Sequence, residues 1–224
     1  MRISKKTIAL TFVALVLLGF FGTIVYQKFF TDDTAHAKSA LQADRAAFAS
    51  AAPNGNGASR SENGIKRAEV ALNEYKKNVV EAPRGCNCGP EVDKYTEGNP
   101  GQWCTMFASW VANQAGTPLI DPRNGSWRFS NSRLFTDYLK QFGTFYTRDE
   151  MLQKGVRPEV GDFVVFWRGN LEDNLGHIDV VVDAGGDPGS AGLVGGNIRD
   201  RVVYRENFPY LNYYGFLGFG RPEK

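Results

Sequence analysis

A thiol, an imidazole and an amide in the second half of the chain are the residue types that together could open an amide bond. Cys104 stands where a helix should begin: Gln102 to Ala115 places Phe107, Trp110 and Val111 on one stripe, and Gly116 with Pro118 supplies the stop. At a helix start the unpaired N–H groups and the helix dipole favour an anion, which draws a thiol toward its reactive thiolate. His177 is the one histidine beyond the amino-terminal segment, follows Gly176 at the start of an apolar strand, and suits general base work near neutral pH. A third group must orient the ring. Asn197, after Gly195-Gly196 on the next predicted strand, would accept the ring N–H through its side-chain oxygen; Asp179, two residues along the same strand face as His177, is its rival. Each residue also has a plainer reading. Cys104 fits a small hydrophobe packed beside Trp103 and Phe107, His177 a structural histidine, Asp179 a cross-strand or solvent-facing carboxylate, and Asn197 a turn residue after two permissive glycines.

The elements that would position these groups read as helices followed by strands. Beyond the Cys104 helix, Arg133 to Gln141 forms a second, opened by Ser130 or Asn131 and closed by Gly143, and Thr147-Arg148-Asp149-Glu150 has the form of a capping box for a short helix to about Lys154. Strands are expected over Asp162 to Trp167, His177 to Asp183, Leu193 to Gly195, Arg201 to Arg205 and Tyr214 to Gly220, each rich in Val, Phe or Tyr. The intervals carry Gly169-Asn170, Gly185-Gly186 and Asp187-Pro188 and are too short for crossover helices, so the pairing should be antiparallel. Helices segregated from an antiparallel sheet make an α+β fold.

The 224 residues, 42% hydrophobic with a net charge of only +2, describe a folded chain with room for one domain plus attachments, and argue against a dedicated nucleic-acid binder, which needs a basic face. Three cysteines exclude a fully paired disulfide framework, and Cys86, Cys88, Cys104 and His177 lack the clustered spacing of a zinc site. The amino terminus has its own logic. Residues 1–6 carry Arg2, Lys5 and Lys6 and form a cytoplasmic tail; 7–27 hold an uncharged apolar run from Thr7 to Tyr26, long enough as a helix to cross a bilayer, with Tyr26, Phe29 and Phe30 at its interface. The segment reads as a retained signal anchor that leaves the remainder outside the cytoplasm, with cleavage after Ala35-His36-Ala37 as the alternative. Residues 28–64 read as a flexible linker, 65–82 as a helix with the stripe Ile65, Ala68, Leu72, Tyr75 and Val79, and 83–224 as the domain that holds Cys104, His177, Asp179 and Asn197.

The motifs Asn99-Pro100-Gly101-Gln102-Trp103-Cys104-Thr105-Met106-Phe107-Ala108-Ser109-Trp110, Gly161-Asp162-Phe163-Val164-Val165-Phe166, Gly176-His177-Ile178-Asp179-Val180-Val181-Val182 and Val194-Gly195-Gly196-Asn197 together resemble the CHAP family, the cysteine- and histidine-dependent amidohydrolases and peptidases of the NlpC/P60-like, papain-like superfamily. The resemblance runs over about residues 85 to 222. It implies a papain-like α+β domain that hydrolyses peptidoglycan, either at the amide joining sugar to stem peptide or within the peptide, with Cys104 as nucleophile, His177 as base and Asn197 as orienting residue. The chemistry calls for no metal or organic cofactor. Many members carry an acidic residue on the strand after the histidine strand; Val194-Gly195-Gly196-Asn197 stands there instead, closest to a subgroup with a G-G-N motif. Asn87 to Tyr95 resembles that subgroup's lead-in, whereas Cys86 and Cys88 lie outside its pattern and are either a local disulfide or free thiols. The implied protein is a bacterial membrane-anchored wall hydrolase whose partners are peptidoglycan and the membrane. An inert envelope-binding domain on the same fold, or a protease acting on protein, is the competing expectation.

Overall fold

The structure, a computed structural model, describes residues 55–168, 176–187 and 189–222. The predicted tail, the anchor over 7–27 and most of the linker lie outside the described residues. Among those described, no helix is long and apolar enough to cross a membrane. Helix α1 spans Gly55–Lys76, so it starts inside the stretch expected to be linker and stops short of Glu81. Of the expected stripe, Ile65, Ala68 and Leu72 are buried and Tyr75 is half-buried on the helix, whereas Val79 is buried beyond its end. It ends because Asn78 turns into the left-handed region (φ 52°), after which the chain runs extended: Val80 bridges Arg201, and Val202 N–H donates to Val79 O at 3.1 Å.

A short helix α2 (Asp93–Thr96) leads into α3 (Cys104–Gln114). Eight of the eleven α3 residues are buried, which makes it a core helix apolar around most of its circumference rather than a surface helix with one stripe. Helix α4 (Ser132–Phe142) is capped by Asn131, whose side chain accepts from the N–H groups of Arg133 and Leu134. Helix α5 (Arg148–Lys154) opens on the expected capping box, with Thr147 and Glu150 satisfying one another's backbone N–H groups, and closes on Gly155 in the left-handed conformation.

The described strands form a six-stranded sheet in the order β1-β6-β2-β3-β4-β5, comprising β1 (Gly143–Thr147), β2 (Phe163–Trp167), β3 (Gly176–Asp183), β4 (Ala191–Gly195), β5 (Val203–Phe208) and β6 (Phe216–Pro222). Every neighbouring pair is antiparallel. The fold is α+β, as the order of elements implied. Edge strand β1 was not anticipated: it follows α4 without a loop and pairs with β6, so its hydrogen bonds come from a strand some 70 residues later that local sequence does not reveal. Strands β5 and β6 both begin later than expected. Arg199 and Asp200 hold positive φ before β5, and a 3-10 turn at Tyr210–Asn212 followed by Gly215 (φ 84°) delays the ladder to Phe216.

The central strands are buried on both faces. On one, Val164, Phe166, Val181, Leu193, Phe216 and Phe219 form a cluster closed by Met151 of α5 and by Tyr210. On the other, Phe163 meets Phe135 of α4 edge-on with centroids 5.0 Å apart, and Tyr204 of β5 meets Tyr75 of α1 at 5.8 Å.

Candidate active site

Cys104 is the first residue of α3, and its own N–H lies outside the helical ladder, whose first bond runs from Phe107 N–H to Trp103 O at 2.8 Å. No side chain caps this end. Trp103, fully buried, holds it in place: its ring stacks on Tyr95 with centroids 5.5 Å apart, and its indole N–H donates to Glu81 Oε1 at 2.7 Å. The thiol, only 6% exposed, lies 3.6 Å from Gly176 O at the start of β3. It is the free cysteine among the described residues, because Cys86 and Cys88 are joined in a disulfide.

One residue beyond Gly176, the buried His177 ring shares a sheet face with Phe166, its partner across β2. Its Nε2 donates to Asp179 Oδ1 at 2.8 Å. Its Nδ1 is buried and makes no hydrogen bond, and the ring lies near enough to the Cys104 thiol for each group to shift the other's ionisation. Asp179 is fully buried, and its second oxygen accepts from Arg205 Nη2 on β5. Sulfur, imidazole, carboxylate and guanidinium thus follow one another across α3, β3 and β5.

Asn197 stands elsewhere. It sits past β4 in the left-handed region (φ 57°), and its Nδ2 donates to Asn87 Oδ1 at 2.9 Å and to Gln102 Oε1 at 3.3 Å. The orienting position expected for it is occupied by Asp179. The reason is geometric, since residues two apart on a strand face the same side whereas Asn197 has already left the ladder. Gly196 ahead of it serves packing: a Cβ there would come within 2.6 Å of Phe107 and 2.7 Å of Trp103.

The family model of the CHAP domain matches residues 95–197, a span that contains Cys104, His177, Asp179 and Asn197. The chain carries a CHAP domain. No match was found among curated proteins or among solved structures. A CHAP domain suggests a hydrolase of the amidase or peptidase kind, with peptidoglycan as substrate.

Within the CHAP domain, Gly195 explains how the carboxylate comes to lie on the histidine strand. Asp179 and Gly195 face one another across β3 and β4, and a Cβ at position 195 would fall 1.8 Å from Asp179 Oδ1 and 3.0 Å from His177 Nε2. The carboxylate fills the space that any side chain on Gly195 would need. The signal for Asp179 was its i+2 spacing from His177. Arg205 and Arg168 gave no sequence signal, because each joins the site only through strand pairing or chain reversal.

Charge follows geometry. Burial alone would raise the Cys104 thiol, but hydrogen bonding and charge from His177, then Thr105 and the exposed Arg168, outweigh it and lower the thiol below its ordinary value. Burial opposes a charged His177 too, yet the Asp179 carboxylate, with the Cys104 thiolate, lifts the ring to about 9. Asp179, which burial would raise, is held at about 2 by His177 and Arg205. Both shifts favour a thiolate–imidazolium pair on an ionised carboxylate, which is the charge state for nucleophilic attack followed by proton donation.

Proposed function

We propose that this protein is a membrane-anchored peptidoglycan hydrolase of the bacterial cell envelope that cleaves an amide bond with Cys104 as nucleophile, His177 as acid and base, and Asp179 as orienting carboxylate. The observation that carries the reading is the 2.8 Å bond from His177 to the buried Asp179, with the Cys104 thiol 3.6 Å from the carbonyl of the adjoining Gly176, all within the residues that match the CHAP domain. Cys104 Sγ attacks the carbonyl carbon and forms a C–S bond, and the carbonyl oxygen takes the displaced electron pair. The Cys104 N–H at the open helix end is one donor for that oxygen. Gln102 is a second: its Oε1 accepts from Asn197, which leaves its NH2 free to donate. As the C–N bond breaks, its electron pair goes to nitrogen and the imidazolium delivers its Nδ1 proton there. Water, giving a proton to the neutral ring, then attacks the thioester carbon; the C–S bond breaks with its electron pair on sulfur, the acyl group leaves as a carboxylic acid, and the thiolate and imidazolium are restored.

The apolar run over residues 7–27, with basic residues before it, supports a single-pass anchor that leaves the domain extracytoplasmic. The Cys86–Cys88 disulfide fits an oxidising compartment. The test is digestion of purified peptidoglycan by the full chain beside Cys104→Ala, with products identified by mass spectrometry. Soluble fragments from the wild type alone are expected, and their masses name the bond. Folded wild-type protein that releases nothing from several wall chemistries overturns the reading in favour of an inert wall-binding domain.

A further inference from the structure

Arg205 lies beyond the residues matched by the family model, yet it reaches the centre of the site. Its guanidinium donates to Asp179 Oδ2, lies over the Phe208 ring at 3.7 Å from the centroid, and sits 5.5 Å from that of Phe166, the residue paired with His177. The stack fixes the plane of the guanidinium, and a planar donor held in that plane fixes the carboxylate it binds. Asp179 therefore serves two cations, one on each oxygen, with none of its side chain exposed to water.

Building on the proposed hydrolase reading, we infer that Arg205 is a positioning residue for the Cys104–His177 pair: it sets the angle of Asp179 and, by drawing on the same negative charge, keeps that carboxylate from gripping the imidazolium too firmly to release its proton. The physical case rests on competition for one charge. A buried carboxylate with a single cationic partner would concentrate its field on the His177 ring, stabilise the imidazolium and make it a weaker acid toward a leaving amine. Arg205 takes up part of that field from the far side. The charged and titratable groups facing the pair among the described residues are Cys104 from α3, Arg205 from β5 and Arg168 at the end of β2. Of these, Arg205 is the one bonded to the carboxylate and not to the reacting atoms.

The test is the titration of His177 by NMR in the full chain in mild detergent, labelled at histidine and carrying His36→Gln so that a single ring reports. Arg205→Met should raise the midpoint by about one pH unit and move the alkaline limb of kcat/KM upward with it. On peptidoglycan, kcat/KM should fall about tenfold, because a weaker acid protonates the leaving amine more slowly. Arg205→Lys keeps the charge but not the planar stack, and should show a smaller shift in the same direction. Asp179→Asn should move the midpoint down. A folded Arg205→Met protein whose midpoint is unchanged or lowered overturns the inference. If that variant does not fold, a wild-type midpoint together with wild-type kcat/KM in Arg205→Lys does so instead. The titration needs no substrate, so a shifted midpoint in a protein that digests no peptidoglycan would sink the hydrolase reading and leave the role of Arg205 standing.

Discussion

Replacing Cys104 by alanine removes the one free thiol among the described residues, and with it release of fragments from peptidoglycan should fall to background. Thiol chemistry gives a second measurement that needs no wall material. In the folded protein Cys104 should be alkylated by iodoacetamide at mildly acidic pH, where an unperturbed cysteine is almost wholly protonated, and intact mass would count one adduct. The rate of hydrolysis should also report the imidazolium. With His177 raised to about 9, the acid form persists through neutrality, and kcat/KM should fall as pH rises through that value. Asp179→Asn removes the charge that raises the ring, so the alkaline limb should move to lower pH while kcat/KM drops on the order of a hundredfold. An alkaline limb that stays in place in that variant would show that Asp179 does not set the ring's ionisation.

The elements carry their own predictions. Gly195→Ala should destabilise the protein by about 2 kcal/mol or more, because the methyl would occupy the space of Asp179 Oδ1 and a carboxylate with no exposed surface has nowhere to move; urea unfolding beside wild type measures it. The Cys86–Cys88 disulfide closes a very short loop, so Cys86→Ser with Cys88→Ser should cost only about 1–2 kcal/mol in the same assay. Its local effect should be larger, since Asn87 N–H donates to Glu81 Oε2 at 2.9 Å while the other Glu81 oxygen holds Trp103 at the helix start. At this scale the sequence was readable where the signal was local. Asn131 and the Thr147–Glu150 box cap the helices they were expected to cap, and β2 and β3 lie where apolar runs place them. What lay hidden was nonlocal: β1 takes its bonds from β6, Arg205 meets Asp179 through a strand between them, and the choice of Asp179 over Asn197 depended on where β4 ends. Helix α1 began before its apolar stripe, over Gly55-Asn56-Gly57, and local propensity offered no reason to start it there.

For the whole molecule, the ion pair leaves a signature in stability. His177 has a folded value above its unfolded one, so its stabilisation is present below about 6.5 and is lost as pH rises through about 9. Cys104 is shifted downward, so its contribution is present above the unfolded thiol value and is lost as pH falls through the folded one. Where the two ranges overlap, the folded ring gains a proton while the folded sulfur gives one up, so their effects on proton uptake oppose one another. Wild-type stability should therefore vary less with pH than that of Cys104→Ala between about 6.5 and 9. Cys104→Ala leaves only the ring, still raised by Asp179, and its stability should decline as pH rises above about 6.5, read from urea midpoints. A second consequence concerns descent rather than energy. Because Asp179 stands in the space of a side chain at 195, the two positions exclude one another. A lineage moving its carboxylate from one strand to the other cannot pass through a form that has both. It must first lose the acid and then regain it, or change both codons together, so such a transfer would be rare and, once made, hard to reverse.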